Sequence, residues 1–329
     1  MTKVPMSAAL IIACTLSVAS AQAPIESSVV KLDPGLDAVV STDAKVEVLR
    51  DDLGSTEGPV WIRERKSGYL LFSDQVGNTI YKWTPESKAS VLLEHSGFTG
   101  TDPSRLGRLI GSNGLTLDRQ GRLIICAQGD RLLVRLEKDG TRITLADRYE
   151  GKLLNGPNDV VMKSDGAFYF TDRGSGLRSP MDRELPFRAV FRLKDGKLQV
   201  MTKDDQQGVI PNGIAFSRDE KHLYLTNETE IKIFDVQPDG SVANGRLFID
   251  LSAAKGPGTA DGMKVDRKGN IYATVPGGIW IVSAAGRHLG SIVTPTRPTN
   301  VEFGDADGKG LYITSGKSLW RIQLNSPGR

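Results

Sequence analysis

The sequence is short of the residues on which much enzyme chemistry depends. Its 329 residues include two cysteines, Cys14 and Cys126, and three histidines, His95, His222 and His288. With no C-x-x-C pair, a zinc ribbon or a dithiol redox site is excluded. H-E-x-x-H, G-x-S-x-G and the Walker loop are missing as well, and the histidines show no ligand spacing. Zinc proteases, elbow-type serine hydrolases and P-loop NTPases are therefore unsupported. The net charge of +3 is scattered and contains no basic block, which argues against nucleic acid as a partner. Sustained helical periodicity is absent too, because 36 Gly and 16 Pro puncture the chain throughout.

Long apolar runs are scarce. The one near the N-terminus, Met6–Val18, is too short to span a bilayer, and no later run reaches spanning length. Lys3 precedes it and Ala19-Ser20-Ala21 follows, the pattern of a signal peptide cleaved after Ala21. The mature chain is then expected to be secreted or periplasmic. A lipoprotein box at Ile11-Ile12-Ala13-Cys14 is the alternative. Export leaves Cys126 as the mature chain's single cysteine, so no intramolecular disulfide staples the fold. Residues 22–43 are expected to be an extended or flexible lead-in, and residues 44–329 one folded domain.

What the chain does contain is a repeat. Gly68–Asp74 (GYLLFSD), Gln120–Ala127 (QGRLIICA), Asp165–Asp172 (DGAFYFTD), Glu220–Asn227 (EKHLYLTN), Lys268–Thr274 (KGNIYAT) and Lys309–Ser315 (KGLYITS) share a turn and a strand ending in a small polar residue. Their spacing, roughly 40 to 55 residues, is that of four-stranded propeller blades. Alternating runs such as Thr79–Trp83 and Ala189–Leu193 follow most of them. The expected fold is all-β, a six-bladed β-propeller around a central channel. The spare strand Ala44–Arg50 should complete the last blade and close the ring.

A second pattern precedes these strands. Glu57-Gly58, Asn113-Gly114, Asn158-Asp159, Asn212-Gly213 and Asp261-Gly262 each head a strand that enters a repeat. Asn-Gly and Asp-Gly are common turn formers, so one pair alone says little. Recurring at equivalent strand heads, Glu57, Asn158, Asn212 and Asp261 can converge at one channel mouth. Two carboxylates and two amide oxygens there suit one hard divalent cation, calcium first, with magnesium, manganese or zinc as alternatives. Asn113 fits the same register and is expected to hydrogen-bond a substrate. Two long loops, Gly97–Gly111 and Arg173–Arg188, adjoin these heads and are either caps of the mouth or plain surface insertions.

The segments EGPVW at Glu57–Trp61, SNGLTLDRQGRL at Ser112–Leu123, NGPNDVVMKSDGAFYFTD at Asn155–Asp172, PNGIAFS at Pro211–Ser217 and ADGMKVDRKGNIYAT at Ala260–Thr274 resemble the senescence marker protein/gluconolactonase family, in order and spacing over nearly the whole mature chain. The resemblance implies a propeller with one divalent cation held by Glu57, Asn158, Asn212 and Asp261. It also implies lactone hydrolysis, a metal-dependent carboxylic ester hydrolase reaction, with Asp261 as general base; Asn113 and Asn158 are expected to contact the substrate. The chain departs from the family pattern at Arg173, at Gln128-Gly129, and at Gly156, where the animal lactonase has an arginine. These departures surround the substrate rather than the cation. A fluorophosphatase-like or phosphotriesterase-like hydrolase, or a periplasmic binding propeller with a structural calcium, are the alternatives. The oligomeric state is not legible.

Overall fold

The computed structural model describes residues 28–65, 67–204 and 209–328; the expected leader Met1–Ala21, its cleavage point and Cys14 lie outside them. Six antiparallel sheets of at least four strands follow one another along the chain as blades one to six. Their innermost strands are Thr56–Arg63, Leu115–Leu117, Pro157–Met162, Pro211–Phe216, Met263–Val265 and Pro298–Gly304. Each innermost strand touches the next, and Pro298–Gly304 returns against Thr56–Arg63 to close the circle. The protein is a six-bladed β-propeller. Among the described residues no helix is long and apolar enough to cross a membrane.

The blades cohere because their middle strands are buried on both faces. Side chains alternate across a strand, so a strand sandwiched between two blades must be apolar on both sides. In Leu123–Ala127 all five residues are buried. Leu123, Ile125 and Ala127 face the core shared with blade one, while Ile124 and Cys126 face the core shared with blade three. Tyr169 and Phe170 divide in the same way between the cores toward blades four and two. Six apolar clusters result, one at each junction between neighbouring blades.

Closure uses the N-terminal part of the chain twice. Val46–Arg50 pairs with Ser318–Gln323, Val46 opposite Ile322, and supplies the outermost strand of blade six. The lead-in expected to be extended or flexible adds more. Ser28–Lys31 pairs with His288–Val293 as a fifth strand of blade five. The 3-10 turn Pro34–Ala38 then buries Leu36, which joins Val39 and Val40 in the core between blades five and six.

Candidate active site at the channel mouth

Each innermost strand begins at the same level of the channel, and a local irregularity turns its first side chain. The pairing register shifts between Glu57 and Val60, Pro157 and Val160, Pro211 and Ile214, and Pro298 and Asn300. A bulge of this kind re-aims a side chain at the rim of a closed sheet, here Glu57, Asn158, Asn212 and Thr299 toward the mouth. Asp261 and Asn113 stand two residues before their strands. The glycines that follow are needed for close approach. A Cβ on Gly58 would lie 2.0 Å from the Asn113 carbonyl oxygen, and one on Gly213 would lie 2.3 Å from that of Asp261.

The small polar residue closing each repeat holds the neighbouring head. Ser73 donates to the Asn113 carbonyl at 2.8 Å, Thr171 to that of Asn212 at 2.8 Å, Thr226 to that of Asp261 at 2.7 Å, and Thr274 to that of Thr299 at 3.0 Å. Thr299 completes the ring by donating to the Thr56 carbonyl at 2.8 Å. Cys126 occupies the matching place in blade two, where burial pushes its thiol well above the usual range and leaves it unreactive. Asp172 and Asp74 clamp the segments leading into the heads. The Asp172 carboxylate accepts from the amides of Asn155 at 2.8 Å and Gly156 at 2.6 Å, and that of Asp74 from Gly54 and Ser55, each at 2.8 Å.

The heads enclose a cavity of about 320 Å³ lined by Glu57, Asn113, Asn158, Asn212, Asp261 and Thr299 together with loop residues. All the residues expected at the site from the repeats therefore meet in one place. Glu57 is buried; its Oε2 accepts from the Gly58 amide at 2.7 Å and the Asn300 side chain at 3.4 Å. Burial first, and the Asp261 charge second, push the Glu57 carboxyl well above the usual carboxylate range. Burial also raises Asp261, while Arg297 and Arg173 pull it back down. Arg297 donates to Asp261 Oδ2 at 2.8 Å and to the Thr259 carbonyl at 2.9 Å. Asn212 is oriented by its amide nitrogen, which donates to the Ala260 carbonyl at 3.1 Å. Asn113 donates to Gln128 Oε1 at 3.2 Å, and Gln128 in turn donates to the Leu109 carbonyl at 2.8 Å.

The two long loops form one cap over this mouth. Leu106 and Leu177 make a β-bridge, the Gly107 amide donates to the Gly176 carbonyl at 2.9 Å, and the Arg178 amide to the Arg105 carbonyl at 2.9 Å. They bring Leu109, Arg173 and Ser175 into the lining. His95, His222 and His288 are absent from that lining; His288, for example, stacks on Trp280 with ring centroids 3.8 Å apart.

Sequence reasoning missed several residues here. Arg297 was invisible because the sixth head reads Thr299-Asn300 and lacks the Asn-Gly or Asp-Gly signal. Arg173 is legible in the sequence as a departure near the substrate, but not as a cation in the cavity wall. Asp159, beside Asn158, is buried and accepts from the amides of Val160 at 2.9 Å and Ile214 at 3.2 Å. Burial raises its carboxyl and Lys264 lowers it. Lys264 lies farther down the channel, in a second cavity of about 220 Å³ where the inner strands end.

The model of the SMP-30/gluconolactonase/LRE-like region matches residues 55–317. The chain belongs to this family. A gluconolactonase of Zymomonas mobilis is 32% identical over 318 residues, covering 91% of this chain and 87% of the relative. A solved gluconolactonase of Xanthomonas campestris superposes with a TM-score of 0.78 at 33% identity, covering 90% of this chain and 95% of that one. A pentonolactonase of Haloferax volcanii is 28% identical over 268 residues, covering 79% of this chain and 80% of the relative.

In this SMP-30/gluconolactonase-like chain the residues at the mouth suit a hard cation. Among the described residues no three His, Cys, Asp or Glu side chains cluster as a metal-binding group, so a cation here would draw on amide oxygens as well as Glu57 and Asp261. Burial raises both the Glu57 and the Asp261 carboxyls, the Asp261 charge raises Glu57 further, and Arg297 is hydrogen-bonded to Asp261. Buried like charges of this kind are stable once a proton or a cation is shared between them.

Proposed function

We propose that this chain hydrolyses the ring ester of sugar lactones, at a site formed by Glu57, Asn158, Asn212 and Asp261 with one divalent cation, calcium first among the candidates. The observation that carries this reading is the cavity itself, where four oxygen-bearing strand heads from four blades meet beside hydroxyl and amide side chains. Ser55, Gln75, Asn113, Ser175, Thr259 and Thr299 supply hydrogen-bonding groups, and Leu109 is the large apolar side chain among the described lining residues. Such a wall suits a polyhydroxylated ring. It suits the alkyl or aryl groups of a phosphotriester poorly, since small-molecule sites for such groups are predominantly apolar. Relatives named gluconolactonase and pentonolactonase support the same substrate class.

When bound, a divalent cation polarises an ester carbonyl and stabilises the negative charge that develops on its oxygen. The protein's own residues do the rest. Asp261 accepts the proton of the attacking water, and Arg297, hydrogen-bonded to Oδ2 at 2.8 Å, fixes its orientation and offsets part of the upward shift that burial imposes on it. Asn113 and Asn158 face the lactone and hold its hydroxyls; Gln128 fixes the Asn113 amide through a 3.2 Å hydrogen bond. The ring oxygen leaves as an alcohol and the product carries a new carboxylate. The N-terminal stretch Met1–Ala21 belongs to the same reading as an export signal, to be checked by N-terminal sequencing for a mature chain that starts at Gln22.

The test is proton release from D-glucono-1,5-lactone and other aldonolactones, after chelation and again after each metal is restored. Turnover that is lost on chelation and regained with one ion supports the reading. A folded, metal-loaded protein silent on the whole panel overturns it.

A further inference from the structure

We propose that Arg173 selects lactones bearing a second, negatively charged group, a carboxylate or phosphate at the end of the sugar remote from the ring carbonyl. The proposal rests on the lactonase reading above and concerns its substrate class.

Two guanidinium groups line the cavity, and they differ in how they are used. Arg297 is committed: it holds Asp261 Oδ2 at 2.8 Å and the Thr259 carbonyl at 2.9 Å. Arg173 lines the same cavity and feels Asp261 and Glu228 through space. Among the described residues, however, its guanidinium has no hydrogen-bond acceptor and no carboxylate oxygen within 4.0 Å. Its backbone is fixed. The Arg173 amide donates to the Gly156 carbonyl at 3.3 Å, and the cap beyond it is tied down at Leu106–Leu177.

The Arg173 guanidinium is half-buried in the cavity wall with its nitrogens open to the cavity, where an arriving anion can reach them. The planar fork of arginine matches a carboxylate or phosphate in a bidentate way, which a sugar hydroxyl cannot do. Of the two arginines, Arg297 is taken up by Asp261 and the Thr259 carbonyl, which leaves Arg173 as the lining cation open to an arriving anion. At about 320 Å³ the cavity has room for a sugar acid and little more.

The experiment compares D-glucaro-1,4-lactone with D-glucono-1,4-lactone, which differ in carrying a carboxylate or a hydroxymethyl group at the remote end. The wild-type protein should favour the anionic lactone in kcat/KM by about tenfold or more at low salt, and rising ionic strength should erode that margin. Arg173→Gln should abolish the preference through KM, and Arg173→Lys should keep part of it. Equal rates on the two lactones in the wild type, or an Arg173→Gln loss that is the same for both, overturns the proposal. Calorimetric binding of D-glucarate against D-gluconate reads the same preference without turnover. A protein that binds glucarate more tightly through Arg173 yet hydrolyses neither lactone contradicts the lactonase reading alone; one that binds the two equally contradicts this one. Adding 6-phospho-D-gluconate separates phosphate from carboxylate as the preferred anion.

Discussion

At the residue scale the proposed reaction turns on Asp261. It is half-buried in the cavity that Glu57 also lines and is hydrogen-bonded to Arg297, and in that reaction it serves both as a cation ligand and as the proton acceptor. Asp261→Asn keeps an oxygen for the cation and removes the base. Turnover is expected to fall by about 10²–10⁴ while cation affinity falls much less; equal losses, by kinetics and metal titration, would make Asp261 a ligand alone. Asp172 sets a second test. Burial raises its carboxyl from 3.8 to about 6, even though it accepts two backbone amides. The folded state therefore holds this proton more tightly than the unfolded chain does. The group's contribution to stability is complete below the unfolded value of 3.8 and is lost as pH rises through about 6. The shift is worth about 3 kcal/mol. Wild type should gain stability over Asp172→Asn by about that amount between pH 7 and pH 4, measured as the difference in urea unfolding free energies.

At the scale of the element, the strand head is the unit that works. A bulge or a pre-strand position aims the side chain, a glycine admits the next backbone, and a hydroxyl from the preceding blade fixes the carbonyl. Gly58 shows how tight this is, with φ at 51° and a would-be Cβ 2.0 Å from the Asn113 oxygen. Gly58→Ala is expected to cost more than about 3 kcal/mol and to displace Glu57 and Asn113 together. Gly121, with φ at 74° and open space around it, is the control. Its alanine variant meets strain without a clash and should cost about 1 kcal/mol. Urea midpoints check both; similar losses at the two positions would remove close packing as the reason for glycine at the heads. This unit was legible in part. Glu57, Asn158, Asn212 and Asp261 could be read because a repeat places like residues at like positions. The sixth head, Thr299-Asn300, broke the pattern and hid its neighbour Arg297.

On the scale of the whole molecule, the ring depends on its ends. Val46–Arg50 closes blade six, and Ser28–Lys31 with Leu36, Val39 and Val40 seals the junction between blades five and six. Leu36→Ala should cost about 2–5 kcal/mol, the range for a fully buried leucine. A chain starting at Asp51 loses both outer strands, and its Tm is expected to fall by roughly 10 °C or more. Calorimetry on the two variants checks this. An unchanged Tm in the truncated chain would mean that the first and last blades hold together without the latch.

The sequence by itself determined the blade count, the all-β class and the strand-head residues, because each of these is written as a period. Alternation within a strand and recurrence between blades survive in one dimension. What the tertiary structure alone decided is everything that meets across the ring without a period of its own. The two loops are separated in the chain by blade two and the two inner strands of blade three, yet they bridge at Leu106 and Leu177 and deliver Leu109, Arg173 and Ser175 to the mouth. Arg297 reaches Asp261 from 36 residues away. Residues 28–40 become part of a blade junction formed by the last third of the chain. Contacts of this kind depend on how the ring closes, and closure brings together residues that no local pattern relates.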